Sequence, residues 1–384
     1  MNKEEKIAAF DPSSLAEGNQ LFGLPFTEEE SDIVILPVPW EVTVSYNAGT
    51  AKAPAAILAA SRQVDLYDVD VHGAWKHGIY LKKVNKQIAR WSKELRTKAE
   101  NYLSLLEDGV DPASDKSLKK MQEQINLGGT GLKDWVQEEI RAILHKGKLP
   151  GLLGGDHSTP LGFLLALEEV YPSFGILQID AHCDLRKAYE GFTYSHASIM
   201  YNALQVRAVD KLVQVGIRDY CQEELDVIHA ADGRVKTFFD ADLKRALYEG
   251  DTWKNCCDRI ISQLPALVYV SFDIDGLDPK LCPNTGTPVA GGLEFEQAVY
   301  LLLKLVRSGR RIIGFDLNEV VPGETEWDAN VGARMLYKLC NLMGLSQRMF
   351  DDNVQQADSQ SVNEAVLRRP SLNEIAEGQE GIVD

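Results

Sequence analysis

A chain of 384 residues, 45% hydrophobic and 25% charged, has ordinary globular composition and material for one large α/β domain or two smaller ones. Its 57 acidic against 40 basic side chains leave a formal net charge of −17, which argues against nucleic acid and anionic membrane as partners and suits a small cationic substrate. Six cysteines (Cys183, Cys221, Cys256, Cys257, Cys282, Cys340) without a C-x-x-C, no signal-peptide core and no run of roughly 18 apolar residues lead us to expect a reduced, soluble, cytoplasmic protein.

Residues 1–30 read as an N-terminal extension. Six short apolar runs then recur between amphipathic stretches: "DIVILPV" (32–38), "LPGLLGG" (149–155), "FGILQID" (174–180), "KLVQVGI" (211–217), "ALVYVSFDID" (266–275) and "RIIGFDLNEV" (311–320). Near-continuous hydrophobic runs of this length predict buried parallel strands joined by crossover helices, and hence a three-layer α/β/α sandwich over 31–350. The charged, helical stretch at about 83–148 is expected to be an insertion of two or three helices, broken at "NLGGTG" and packed on the domain or on another subunit. Residues 351–384, polar from Ser359 onward, are expected to be a loosely held C-terminal tail.

Four of the six runs end in metal-ligand or acid–base residues: "GGDHS" carries Asp156 and His157, "DAHCD" carries Asp180, His182 and Asp184, "SFDIDG" carries Asp273 and Asp275, and "DLNEVV" carries Glu319. Because ligands in open α/β sheets bind at the carboxyl ends of strands, these groups should converge in one crevice. In an extended strand Asp180, His182 and Asp184 would share one face, with Cys183 turned to the other. A set of nitrogen and oxygen donors without thiolate suits divalent ions such as Mn(II) or Ni(II), and six such donors suit two ions roughly 3.5–4 Å apart with bridging carboxylates. His196, on a loop 12 residues after Asp184, is suited to proton transfer because an ordinary imidazole titrates near neutrality.

"GGDHS", "DAHCD", "YSHAS", "SFDIDGLDP" and "DLNEVVP", in that order, resemble the ureohydrolase family of arginase, agmatinase and their relatives over roughly residues 30–345, apart from the helical insertion. The resemblance implies an arginase-like sandwich around a parallel sheet, trimers or hexamers of one chain, and hydrolysis of a small cationic guanidino compound to urea and an amine. It implies one ion on His157, Asp180, Asp184 and Asp273 and another on Asp180, His182, Asp273 and Asp275, with Asp180 and Asp273 bridging. His196 then matches the proton-carrying histidine, and Glu319 the carboxylate that orients the guanidinium through paired N–H contacts.

Departures bear on the substrate. Ala51 and Ala53 in "GTAKAP" replace an arginine and a glycine that the family often shows, and Leu185–Arg186 stand where arginases usually carry Ile-Asn, which argues against arginine. The "DLRKAYEGFTYSHAS" segment is similar to agmatinases. The N-terminal segment, the insertion and "PGETEWDANVGARMLY" are more similar to the branch that hydrolyses free guanidine, for which nickel is implied; manganese is the alternative ion, and agmatine or another guanidino compound the alternative substrate. Trp40, Trp327 and Tyr194 are candidate pocket walls, and the insertion or N-terminal segment a candidate roof. A mononuclear deacetylase would not need His157, Asp184 and Asp275, and a dinuclear phosphoesterase would need a G-N-H-[DE] segment that this chain lacks. Formiminoglutamate hydrolysis and a non-catalytic metal-stabilised scaffold are the remaining alternatives.

Overall fold

The structure, a computed structural model, describes residues 1–16 and 18–367, with side chains through Arg348. Along the chain run α1 (Lys3–Ala9), β1 (Ile33–Val38), α2 (Ala53–Ala60), β2 (Ile79–Leu81), α3 (Lys86–Glu107), α4 (Lys116–His145), β3 (Leu149–Gly154), α5 (Leu161–Glu168) and β4 (Phe174–Ile179). There follow α6 (Ile199–Ala203), β5 (Val209–Ile217), α7 (Gln222–Ala230), β6 (Val235–Phe239), α8 (Asp240–Tyr248), α9 (Trp253–Ile261), β7 (Leu267–Asp273), α10 (Phe295–Arg307), β8 (Arg311–Asn318) and α11 (Trp327–Leu367). Of the tail expected over 351–384, residues 368–384 and all side chains lie outside the described residues.

The eight strands form one parallel sheet in the order β2-β1-β3-β8-β7-β4-β5-β6. Strand alternation divides the core. Ile33 and Ile35 of β1 join a cluster under α2, α8, α9, α10 and α11, while Val34, Leu36 and Val38 join a second cluster under α3, α4, α5 and α6. Burial of each such aliphatic side chain contributes roughly 1.5–3 kcal/mol, which makes the two apolar layers the principal support of the sandwich. Among the described residues no helix is long and apolar enough to cross a membrane.

All six expected strands are present. The two additional ones, β2 and β6, lie at the sheet edges. β2 has three residues, and β6, "VKTFF", has one buried residue, so neither carries the continuous apolar run of a central strand.

The insertion is a two-helix hairpin, α3 and α4, started by the side chains of Asn85 and Asp115, which cap the first backbone N–H groups. The break expected at "NLGGTG" is absent: α4 runs unbroken through Gly128, Gly129 and Gly131. Close packing overrides poor helix propensity here. A Cβ at Gly128 would lie 2.3 Å from Leu95 Cδ1, and one at Gly131 would lie 2.2 Å from Trp91 Cη2, so only glycine lets α3 approach this closely.

Candidate metal centre and active site

β3, β8, β7 and β4 are consecutive in the sheet, so the residues following them share one rim. Two close approaches shape it: a Cβ at Gly154 would lie 1.7 Å from Asn318 Oδ1, and one at Gly155 would lie 1.7 Å from Trp40 O. They lift Asp156 and His157 over the sheet end. β4 stops at Ile179, so Asp180, His182 and Asp184 stand on the loop after the strand, and their convergence is not the strand alternation expected. Asp184 adopts φ 56° and Glu319 φ 63°, both left-handed, a strained conformation that non-glycine residues keep where the surroundings demand it. Cys183 packs in the apolar cluster beneath.

His157 is buried, and its Nδ1 lies 3.0 Å from Asp180 Oδ2, 3.2 Å from Asp184 Oδ2 and 3.2 Å from Asp273 Oδ2. None of these approaches forms a hydrogen bond, which leaves a buried ring nitrogen aimed at three carboxylates. His182 Nδ1 lies 3.1 Å from Asp275 Oδ2 and 3.6 Å from Asp180 Oδ1. Ligand atoms of His157, Asp180 and Asp273 lie within 4.8 Å of one another, as do those of Asp180, His182 and Asp275. Asp180 is common to both groups. An orphaned imidazole nitrogen and four buried carboxylates are what a pair of hard or borderline cations needs, so the donor set fits a two-ion site.

Electrostatics show the strain of this crowding. Burial and the Asp180 charge push Asp184 up to about 7, and burial with Asp275 and Asp180 raises Asp273 well above the usual carboxylate range. Burial opposes ionisation of Asp180 too, but His157 and His182 overcome it and hold its carboxyl below that range. Burial disfavours the imidazolium of His157 and of His182, yet their carboxylate neighbours raise both above the ordinary value. His196 differs from the expectation of near-neutral titration: burial, then the cationic His182 and His157, push it down to about 4. Glu319 is raised by burial and by Asp156; its Oε1 accepts from the His157 amide at 2.8 Å, and Gly286, lacking a Cβ, leaves room beside Oε2.

Under the rim lies a polar row that the sequence reading missed. Thr237, Gln214, Gln178, Ser271 and Asp316 face one another across β6, β5, β4, β7 and β8 at one register. Gln178 Nε2 donates to Asp180 Oδ2 at 2.8 Å and to His182 O at 3.2 Å, while Gln214 Nε2 donates to Gln178 Oε1 at 2.7 Å. Thr237 Oγ1 in turn donates to Gln214 Oε1 at 2.7 Å. On the other side His157 Nε2 lies 2.8 Å from Ser271 Oγ, which donates to Asp316 Oδ1 at 3.1 Å. Outer partners of this kind orient ligating imidazoles and carboxylates. The signal was in the sequence, as one polar residue (Gln178, Gln214, Ser271, Asp316) interrupting each of four of the six apolar runs.

A cavity of about 150 Å³ opens beside the cluster, walled by Ser45, His182, Asp184, Arg186, Tyr189, His196, Asp219, Tyr220, Glu224 and Thr287. The aromatic walls are thus Tyr189 and Tyr220. Trp40 is buried against Trp91, the exposed Trp327 donates its indole N–H to Lys280 O, and Tyr194 lies on Gly129 of α4. No described residue of 1–30 lines the cavity. The segment is tied instead to the amino ends of the strands, through Lys3 to Asp32 at 2.8 Å and Lys148 to the Glu29 carbonyl at 2.5 Å.

The sequence profile of the Arginase family matches residues 31–341. The N(1)-aminopropylagmatine ureohydrolase of Thermus thermophilus is 30% identical over 318 residues, 83% of this chain and 92% of that protein. The agmatinase of Bacillus subtilis is 27% identical over 317 residues, 81% and 91% of the two chains. The crystal structure of the agmatine ureohydrolase of Thermoplasma volcanium superposes with a TM-score of 0.65 at 21% identity, covering 86% of this chain and 96% of that one, a likeness of fold. The profile match, together with the ordered strand-end motifs and the sheet they cap, shows that the chain belongs to the arginase family.

Proposed function

We propose that the chain hydrolyses free guanidine, with water, to urea and ammonium. It is a hydrolase of C–N bonds in linear amidines by family membership; the finer substrate assignment rests on the cavity. A space of about 150 Å³ walled by Tyr189, Tyr220, Ser45 and Thr287 suits a compact planar cation, and the Arg186 guanidinium, held over the Tyr189 ring at 4.9 Å, disfavours a second cationic group at the mouth.

His157, Asp180, His182, Asp184, Asp273 and Asp275 would hold the two divalent ions, with nickel favoured over manganese. When bound, such a pair supplies a water acidic enough to serve as nucleophile near neutral pH. The rest falls to the chain. Glu319 orients the guanidinium through the carboxylate oxygen left beside Gly286. The water oxygen joins the guanidinium carbon, one C–N bond breaks, and the departing nitrogen takes a proton carried by His196. His196 would carry that proton by first accepting it from the water and then delivering it to the departing nitrogen.

A second reading, a guanidino-amine such as agmatine, is favoured by the carboxylates of Asp219 and Glu224 on the same wall, which could face a distal ammonium. It also agrees with the substrates named for the relatives. The test is urea release from guanidine, agmatine, guanidinobutyrate, guanidinopropionate and arginine by protein loaded separately with Ni(II) and Mn(II). Fastest turnover of guanidine by the nickel form is expected. Agmatine turnover far above guanidine would replace the first reading with the second.

A further inference from the structure

The α3–α4 hairpin grips two of the loops that wall the cavity. On one side Ser92 Oγ accepts from the Glu41 amide at 3.2 Å and Arg96 donates to the Val42 and Val44 carbonyls, immediately before Ser45 of the cavity wall. On the other, Asn126 meets the loop that leads into His196 with both ends of its amide. Its Nδ2 donates to Gly191 O at 3.1 Å, and its Oδ1 accepts from the Thr193 amide at 2.9 Å. Gln122 Nε2 donates to the same Gly191 carbonyl at 3.0 Å. A Cβ at Gly129 would lie 2.8 Å from Tyr194 Cβ, so the glycine that leaves α4 unbroken also lets this loop lie down on the helix.

The hairpin also holds the loop by packing: Phe192 is fully buried, its ring 5.1 Å from that of Tyr102 on α3. Tyr189 and Phe192 pair with each other across the turn, and Asn202 Nδ2 donates to Thr193 O at 2.8 Å from the far side. Glu190, at φ 53°, is left-handed, a conformation that a non-glycine residue keeps under constraint, and Gly191 follows it at φ 83°.

We infer that the hairpin is a brace for the reaction and that Asn126 is a positioning residue, setting His196 through the Gly191–Ser195 segment. The inference rests on the reading of His196 as proton carrier. A proton carrier a fraction of an ångström out of place slows the chemical step while leaving substrate binding nearly intact. Asn126 touches neither the substrate space nor any of the six proposed metal ligands, so its loss should act on kcat alone.

The experiment compares Asn126→Ala, Asn126→Asp, Asn126→Gln and His196→Ala in the full, metal-loaded chain. It uses guanidine or whichever compound in the panel is turned over fastest, and reads kcat, KM, bound metal and amide exchange at Thr193. For Asn126→Ala we expect kcat lowered about 10- to 100-fold with KM changed less than about threefold, metal stoichiometry unchanged and faster Thr193 exchange. Asn126→Asp, which keeps the acceptor for Thr193 and loses the donor to Gly191, should fall between, and Asn126→Gln should recover most of kcat. Wild-type kcat in Asn126→Ala beside an inactive His196→Ala overturns the brace, as does loss of metal or an equal rise in KM. If His196→Ala keeps full activity, the reading of His196 fails instead, and unchanged Thr193 exchange in Asn126→Ala then overturns the brace by itself.

Discussion

Asp156 offers the sharpest physical test of the site, because it is a buried carboxylate that neither metal group uses. It is wholly buried; Oδ1 accepts from the Ser158 amide and hydroxyl, and Oδ2 has no partner. Burial, with Glu41 adding to it, raises its pKa from the ordinary 3.8 to about 6. The folded chain therefore holds this proton to higher pH than the unfolded chain does, so stability falls as pH rises through about 4 to 6 and stays lowered above. Asp156→Asn keeps the shape and an acceptor for both Ser158 donors while removing the charge. The gain in stability should grow from about 1 kcal/mol at pH 4.5 to about 3 kcal/mol at pH 8, since each pKa unit corresponds to about 1.4 kcal/mol. Urea denaturation of chelator-treated wild type and variant at the two pH values reads it directly. A gain that is the same at both, or a loss at pH 8, refutes the claim that this carboxylate is held ionised against its surroundings.

Gln178→Leu removes the donor to Asp180 and the partner of Gln214 from the buried polar row; it should destabilise the chain by about 2–4 kcal/mol. By loosening Asp180, it should also weaken metal binding about 10- to 100-fold, read by metal titration, and unchanged metal affinity would show that the row is scaffolding only. Gly131→Ala places a methyl against the Trp91 ring, itself backed by Trp40, and should destabilise by about 1–3 kcal/mol despite the better helix propensity of alanine. A rise in Tm would mean that the two helices are free to separate at that point.

Apolar runs bounded by polar ends are a local property, which is why the six central strands and the residues at their carboxyl ends could be read in advance. The same holds for the order of the motifs, which pointed to the arginase family before any geometry was in hand. The edge strands β2 and β6 escaped because β2 is only three residues long and β6 has one buried residue, so neither imprints a run of hydrophobic pattern. "NLGGTG" misled for the opposite reason: the glycines answer to Leu95, Tyr194 and Trp91, contacts distant in sequence, and helix propensity yields to packing of that kind.

By itself, then, the sequence determined the sheet's central strands, the class of donors at its rim and the family. Which of those donors meet was decided by the tertiary structure alone. The alternation of Asp180, His182 and Asp184 seemed to place them on one strand face, but β4 ends before them. It is the left-handed turn at Asp184, together with His157 arriving from β3, that brings Asp180 and Asp184 to one imidazole nitrogen and sends His182 to Asp275. Likewise the downward pKa of His196, the tyrosine walls and the hold of Asn126 on the His196 loop depend on burial and on groups dozens of residues away. No spacing encodes these, because they come from the sum of what packs around each atom.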